Sequence, residues 1–236
     1  MATKVNRLGR NQVLSLLPAA DRRRILDRSD RLFLDARTIL YRADDLITHI
    51  YFPLGGMVSL VITTEEGETV EVGSIGNEGL VGTARALGAE RSHVQALVQV
   101  SGEVLRMPLK DFQRELKRSA ALARMTQRFA QALLTQIAQS VACNQLHSVE
   151  QRTCRWFLMT HDRAGVDEMV LTQQFVSQML GVRRPSVTVA AGILQKAGLI
   201  RYARGKLTVL DRKGLEAGAC ECYGIVKRES ERLLAA

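Results

Sequence analysis

The stretch GVRRPSVTVAAGILQKAGLI, residues 181–200, sets Gly181, Arg183, Arg184 and Pro185 directly before an apolar run with helical spacing. A guanidinium is a rigid fork of donors that can pair with guanine O6 and N7 or clamp a phosphate. Two of them in a first helical turn oppose the positive end of the helix dipole, at a cost of about a few tenths of a kcal/mol. A pair that works against local stability is better explained by an anionic partner. Pro185 is tolerated because first-turn N–H groups lack helical partners anyway. Ser186 and Thr188 follow with hydroxyls that can reach bases or phosphates, and the threonine methyl can meet a thymine methyl.

The charge distribution supports the same chemistry. The chain of 236 residues has 33 Lys plus Arg against 24 Asp plus Glu, and residues 181–236 hold 11 of the basic and only 5 of the acidic groups. Within 181–213, Arg183, Arg184, Lys196, Arg201, Arg204, Lys206, Arg212 and Lys213 face Asp211 alone. A basic patch of this density suits a phosphate backbone.

These side chains need elements to hold them. Thr172 is placed to cap a first helix, with Val176 and Leu180 four apart on its inner face. Gly181 supplies the left-handed turn, Val182 plugs it, and Val187, Ala190, Ala191 and Leu194 repeat at helical spacing on a second helix. This is a helix-turn-helix, and beyond it LIRYARGKLTVLDRKGLEA alternates around Arg204-Gly205-Lys206 as a two-stranded wing with a basic tip. Upstream, SVEQRTCRWFLMTHDR directs Val149, Cys154 or Trp156, Phe157 and Leu158 to a small core.

The front of the chain has a different character. After a helical opening, with Arg22, Arg23 and Arg24 on a solvated face, short β-prone runs extend from Arg37 to Met107, separated by turn-like RADD, GG, EEGE and GNEG. They predict an antiparallel barrel or sandwich. The uncharged run 46–64 has the length of a membrane span, but His49, Pro53, Gly55 and Gly56 break it, and it reads as two buried strands. Residues 111–146 contain no Gly or Pro and read as one long helix, with Leu122, Met125, Phe129, Leu133 and Ile137 forming a narrow stripe. A long helix between two compact domains has few intrachain surfaces to cover such a stripe, so it predicts a seam against a second copy.

The expected architecture is therefore α+β, with an N-terminal antiparallel β-roll over 1–118, a dimerisation helix over 119–146 and a winged helix-turn-helix over 147–236. Residues 148–217 resemble the winged helix-turn-helix of the Crp/Fnr family of bacterial transcription regulators. The β-rich front resembles that family's cyclic-nucleotide-binding-like domain, and the long helix its dimerisation helix. The resemblance implies a homodimer bound to double-stranded DNA, with RNA polymerase as a further partner, and it puts Arg184 on the family's groove-entering arginine. Where the family's catabolite activator has a glutamate next and another arginine four residues later, this chain has Pro185 and Val189, so a different half-site is expected.

The sensory end departs further. Cyclic-AMP-binding members meet the ribose with a Gly-Glu-Leu turn and the cyclic phosphate with an Arg-Ser pair. Here the turn is Gly82-Thr83-Ala84, and Arg91-Ser92 follows at a shorter spacing. Without the carboxylate the ribose hydroxyl loses its acceptor, so Gly82, Thr83, Arg91 and Ser92 outline an effector pocket not expected to take cyclic AMP. No N-terminal cysteine cluster is present, the first cysteine being Cys143, so no iron–sulfur cluster is expected. Cys220 and Cys222 lack a further ligand nearby in sequence, and no metal site is assigned to them.

Catalysis is not expected, since G-x-S-x-G, H-E-x-x-H, P-loop and G-x-G-x-x-G motifs are all missing. Four cysteines make no disulfide framework and no secretory signal precedes them, which fits a cytoplasmic protein without a membrane anchor. The competing reading is a sensor or scaffold module whose helix-turn-helix serves protein contacts. Salt dependence of DNA binding separates the two.

Overall fold

The computed structural model describes residues 11–235. The helical opening is divided by Pro18 into α1 (Gln12–Ser15) and α2 (Ala19–Leu26). Arg24 is not merely solvated: with Arg28 it forms an ion pair with Glu115, whose carboxylate is fully buried. Seven strands follow: β1 (Asp30–Leu34), β2 (Ile39–Tyr41), β3 (His49–Pro53), β4 (Met57–Thr63), β5 (Thr69–Ile75), then, after the short α3 (Thr83–Ala86), β6 (Gln95–Val100) and β7 (Gly102–Pro108). They form two antiparallel sheets, β1-β7-β3 and β2-β6-β4-β5, and the uncharged run is indeed β3, turn and β4. β1 went unread from the sequence because DRLFL has charge at its start and leaves Phe33 exposed.

Ile50 and Phe52, Val58 and Leu60, Val98, and Leu105 and Met107 meet in the core of this roll. β4 is buried over five consecutive residues. Leu60 faces the roll, whereas Val61 joins the hydrophobic core of the C-terminal domain, so the strand is covered on both sides.

The expected single helix over 111–146 is two helices, α4 (Leu109–Arg118) and α5 (Ala120–Leu146). Ser119 breaks them with extended backbone, its hydroxyl accepting from the Leu122 N–H at 3.1 Å. A serine cap ends one helix and starts the next without needing Gly or Pro.

The apolar stripe of α5 packs against its own chain. Leu122, Met125, Phe129 and Leu133 are all buried in the core of the β-roll, and Ile137 packs partly against it. A Cβ on Gly79 would sit only 1.9 Å from the Phe129 ring, so the roll opens a glycine-sized seat for that side chain. Those four side chains are spent on the roll, whereas Ile137 keeps part of its surface exposed. The exposed face of α5 is instead Gln127, Gln131, Leu134, Ala138 and Val141, again spaced three and four apart.

α6 (Val149–Ala164) begins at a capping box formed by Ser148 and Gln151. Then come β8 (Glu168–Val170), α7 (Gln173–Leu180), α8 (Arg184–Lys196), β9 (Ile200–Ala203), β10 (Lys206–Val209), α9 (Arg212–Gly218) and α10 (Cys222–Ala235). The wing has three strands, β8-β10-β9, rather than two. The EMV of β8 is too short to announce itself in sequence. Phe157 and Leu158 fill this domain's core as expected, with both Cys154 and Trp156, whereas Val149 in the first turn of α6 is only half-buried. α10 bridges the halves: Tyr223 and Val226 join the C-terminal core, and Leu234 joins that of the roll. Among the described residues no helix is long and apolar enough to cross a membrane.

Candidate nucleic-acid interface

Thr172 caps α7, its hydroxyl accepting from the Phe175 N–H at 3.2 Å. Gly181 ends that helix with φ 61° and ψ 42°, and the Val182 N–H closes the turn onto the Ser177 carbonyl at 3.0 Å. Every side chain other than glycine is strained at that φ. Val187, Ala190, Ala191 and Leu194 bury the inner face of α8, where the two alanines allow close packing.

The outer face of α8 presents Arg184, Thr188, Val189, Ile193 and Lys196. Arg183 is the N-cap residue of α8 and Arg184 its first residue, and neither side chain is used for capping. Among the described residues neither guanidinium has an ion-pair or hydrogen-bond partner, so both are available to solvent or a ligand. The Thr188 hydroxyl donates to Gln173 Oε1 at 2.7 Å, leaving its methyl as the group without a partner.

The wing turn is built from two residues with positive φ, Arg204 at 51° and Gly205 at 75°. This is the twist that two-residue hairpin turns need. The Gly205 carbonyl accepts from the Leu171 N–H at 2.8 Å, tying the wing tip to the start of α7. Lys206 is partly neutralised by Glu168 at 3.0 Å, whereas Arg204 has no ion pair among the described residues. Tyr202 sits beneath, its hydroxyl donating to the Leu171 carbonyl at 2.6 Å, with burial pushing its phenol well above the ordinary value. It stays a neutral donor.

Thr172, Gln173, Gln174, Arg184, Tyr202, Arg204 and Gly205 line one cleft of about 490 Å³. The expected residues Thr172, Arg184 and Arg204 thus meet across it, while Arg183, Ser186, Thr188 and Lys206 lie outside its lining. Gln173, Gln174 and Tyr202 were not anticipated. Two amides directly after a capping threonine were the available signal for the first two.

The residues expected to outline an effector pocket are arranged differently. Gly82, at φ 102°, is the N-cap of α3, and Thr83 is buried with its hydroxyl on the Leu80 carbonyl at 3.0 Å. Tyr41 is buried beside Gly82 and Ser92, and that burial pushes its phenol up to about 12 although both neighbours pull it down. Ser92 is buried, but Arg91 is exposed and donates to the Asp44 carbonyl. The Arg-Ser pair is split between surface and interior.

The two domains touch directly. The Glu71 carboxylate, on β5, accepts from Trp156 Nε1 of α6 at 3.1 Å and from the Ser59 hydroxyl at 2.5 Å. Desolvation raises this acid to about 7, although Ser59, Arg163 and Trp156 pull the other way. Val70 of the same strand lies against the Gly181 turn.

The chain matches the family model for the cyclic nucleotide-binding domain over residues 31–119 and that for the Crp-like helix-turn-helix domain over residues 151–217. The transcriptional regulator SdrP of Thermus thermophilus is 27% identical over 194 residues, spanning 76% of this chain and 92% of that protein. Among solved structures, FixK2 from Bradyrhizobium japonicum aligns with a TM-score of 0.69 at 13% identity, covering 81% of this chain and 98% of that one. A Crp/Fnr-family regulator from Eubacterium rectale aligns with a TM-score of 0.66 at 20% identity, covering 85% and 94%. At those identities the structural matches establish the shared fold. A nucleotide-binding-type roll, a long helix and a winged helix-turn-helix together define a DNA-binding transcription regulator rather than an enzyme. The chain belongs to the Crp/Fnr family.

Proposed function

We propose that this regulator works as a homodimer that reads a near-palindromic DNA site, with Arg184 contacting a base edge and Arg183, Arg204 and Lys206 holding phosphates. The observation that carries this reading is the pair of unpartnered guanidiniums at the start of α8, beside a cleft shared with the wing. That end of a recognition helix is the end that enters the major groove. Ser186 and the Thr188 methyl add contacts, and exposed Val189 offers an apolar surface for a thymine methyl.

Two-fold symmetry puts the half-sites about one helical turn, roughly 34 Å, apart. The second copy is seated on Leu134, Ala138 and Val141 of α5, the apolar part of its exposed face, and not on the stripe used by the roll. The roll communicates state through the Glu71–Trp156 contact, with RNA polymerase as the downstream partner and the cytoplasm as the setting. Cyclic AMP is not expected as its effector, because no carboxylate directly follows Gly82 and Arg91 is exposed on the Asp44 carbonyl while Ser92 is buried.

The test is a set of binding titrations on a selected operator and its single-base variants. Arg184→Ala should remove discrimination at one position of each half-site while leaving the others ranked as before. Equal loss at all positions would assign Arg184 to phosphate and sink the base-reading role.

A further inference from the structure

A cluster of side chains outside the lining of the cleft is unused by this function. Cys143 and His147 lie one helical turn apart at the end of α5, Cys220 lies 73 residues beyond His147 in the connection before α10, and Cys222 is the first residue of α10. Folding brings together what the sequence keeps apart. The four ligand atoms all lie within 4.8 Å of one another, with the three cysteines buried and the histidine partly so. Cys143 Sγ is 3.5 Å from Cys220 Sγ, and Cys222 Sγ is 3.5 Å from His147 Nδ1.

We propose that Cys143, His147, Cys220 and Cys222 form a tetrahedral Zn²⁺ site that clamps the hinge between α5 and α6 to the start of α10. Zinc bonds of about 2.3 Å to sulfur and about 2.0–2.1 Å to nitrogen place neighbouring tetrahedral ligands roughly 3.5–3.8 Å apart. Both measured separations fall at that spacing. An iron–sulfur cubane, with its thiolates on separate irons, needs them farther apart.

The surroundings fit a charged centre. His147 Nε2 lies 3.2 Å from the Glu221 carboxylate, which fixes the ring with its N–H on Nε2 and its lone pair on Nδ1, toward the sulfurs. Gln139 Nε2 donates to Cys222 Sγ at 3.1 Å. Arg152 and Arg155 are buried, each with an Nε atom lacking any partner, and among the described residues neither forms an ion pair. Arg155 spends one nitrogen on Ser140 and Arg152 one on the Leu180 carbonyl, and both feel the Cys143 sulfur electrostatically. Three thiolates around a dication carry a net single negative charge, which offsets buried guanidinium charge. On binding, four coordinate bonds form, three thiol protons leave to solvent, and nothing is oxidised or reduced.

His147 is also the C-cap of α5, with extended backbone at φ −116° and ψ 150°, so it is the joint on which the DNA-binding domain hangs. Metal there fixes that joint.

The experiment is a Co²⁺ titration of the reduced full-length chain, followed by displacement with Zn²⁺. One Co²⁺ per chain, with thiolate-to-metal charge transfer and strong tetrahedral ligand-field bands that Zn²⁺ abolishes, is the expected result. Cys222→Ser should weaken binding by at least about 100-fold, and Glu221→Gln, an exposed position that cannot unfold the core, by about 10–100-fold. Cys154→Ser, in the separate C-terminal core, should leave the spectrum unchanged. Absence of the charge-transfer bands in the folded chain, or their persistence in Cys222→Ser, would overturn the site. These readouts do not depend on DNA, so they stand or fall apart from the operator-reading proposal.

Discussion

The two ends of this molecule use their polar groups in opposite ways. At the DNA-facing end, Arg183, Arg184 and Arg204 are exposed and unpaired among the described residues, and the backbone rather than their side chains makes the cap and the turn. At the sensory end, Thr83, Ser92 and Tyr41 are buried and satisfied by their own chain, and Arg91 is bonded to a loop carbonyl. One end keeps its donors free for a partner; the other spends them internally. A buried polar group must find a partner, whereas a solvated cation need not, so free cations gathered on one face point to a ligand and satisfied hydroxyls do not.

The sharpest way to break this contrast lies on α5, where a buried stripe and an exposed one run side by side. Phe129→Ala should destabilise the chain by about 3–5 kcal/mol in denaturant titration, because the ring fills the seat over Gly79. Leu134→Glu with Val141→Glu should leave that stability nearly unchanged and yield monomers in sedimentation. An intact dimer would move the seam elsewhere.

At the DNA end, Arg184→Ala should cost about 1–3 kcal/mol in operator affinity, concentrated at one base position.

Between the ends, Glu71 should give stability a measurable pH dependence. Its carboxyl titrates near 7 in the fold against an ordinary value of 4.5, so the folded state favours the protonated form. The contribution is fully present below pH 4.5 and is lost as pH rises through about 7. A shift from 4.5 to about 7 corresponds to a swing of at most ~3 kcal/mol. Glu71→Gln should flatten the profile over that window; an unchanged profile would assign the dependence to another group.

The smallest effect belongs to the wing. Arg204→Ala should weaken binding evenly across sequences and reduce the salt slope by about 1.

What was legible in the sequence follows from how far apart the cooperating residues lie. Thr172, Gly181, Val187 and Leu194 act over single turns, so cap, turn and buried face could be read directly, and the structure has them as read. β4 and β5 were equally plain because β-branched content and flanking turns are local. The stripe on α5 was visible as a pattern, but its partner was not. Whether Phe129 meets a second copy or Gly79 depends on a contact 50 residues away in sequence. The break at Ser119 was hidden because serine is unremarkable inside a helical run until its hydroxyl is seen capping one. The Cys/His cluster was missed for the same reason as the seam, since its two halves come from distant helices.

The central claim, a sequence-reading DNA regulator, is tested most directly by measuring operator affinity across a series of salt concentrations. Log K should fall linearly and steeply with log salt, at about 0.9 per phosphate neutralised, with the selected operator ahead of random DNA throughout. A flat salt dependence, or equal affinity for both DNAs, would contradict it and favour a helix-turn-helix that serves protein contacts.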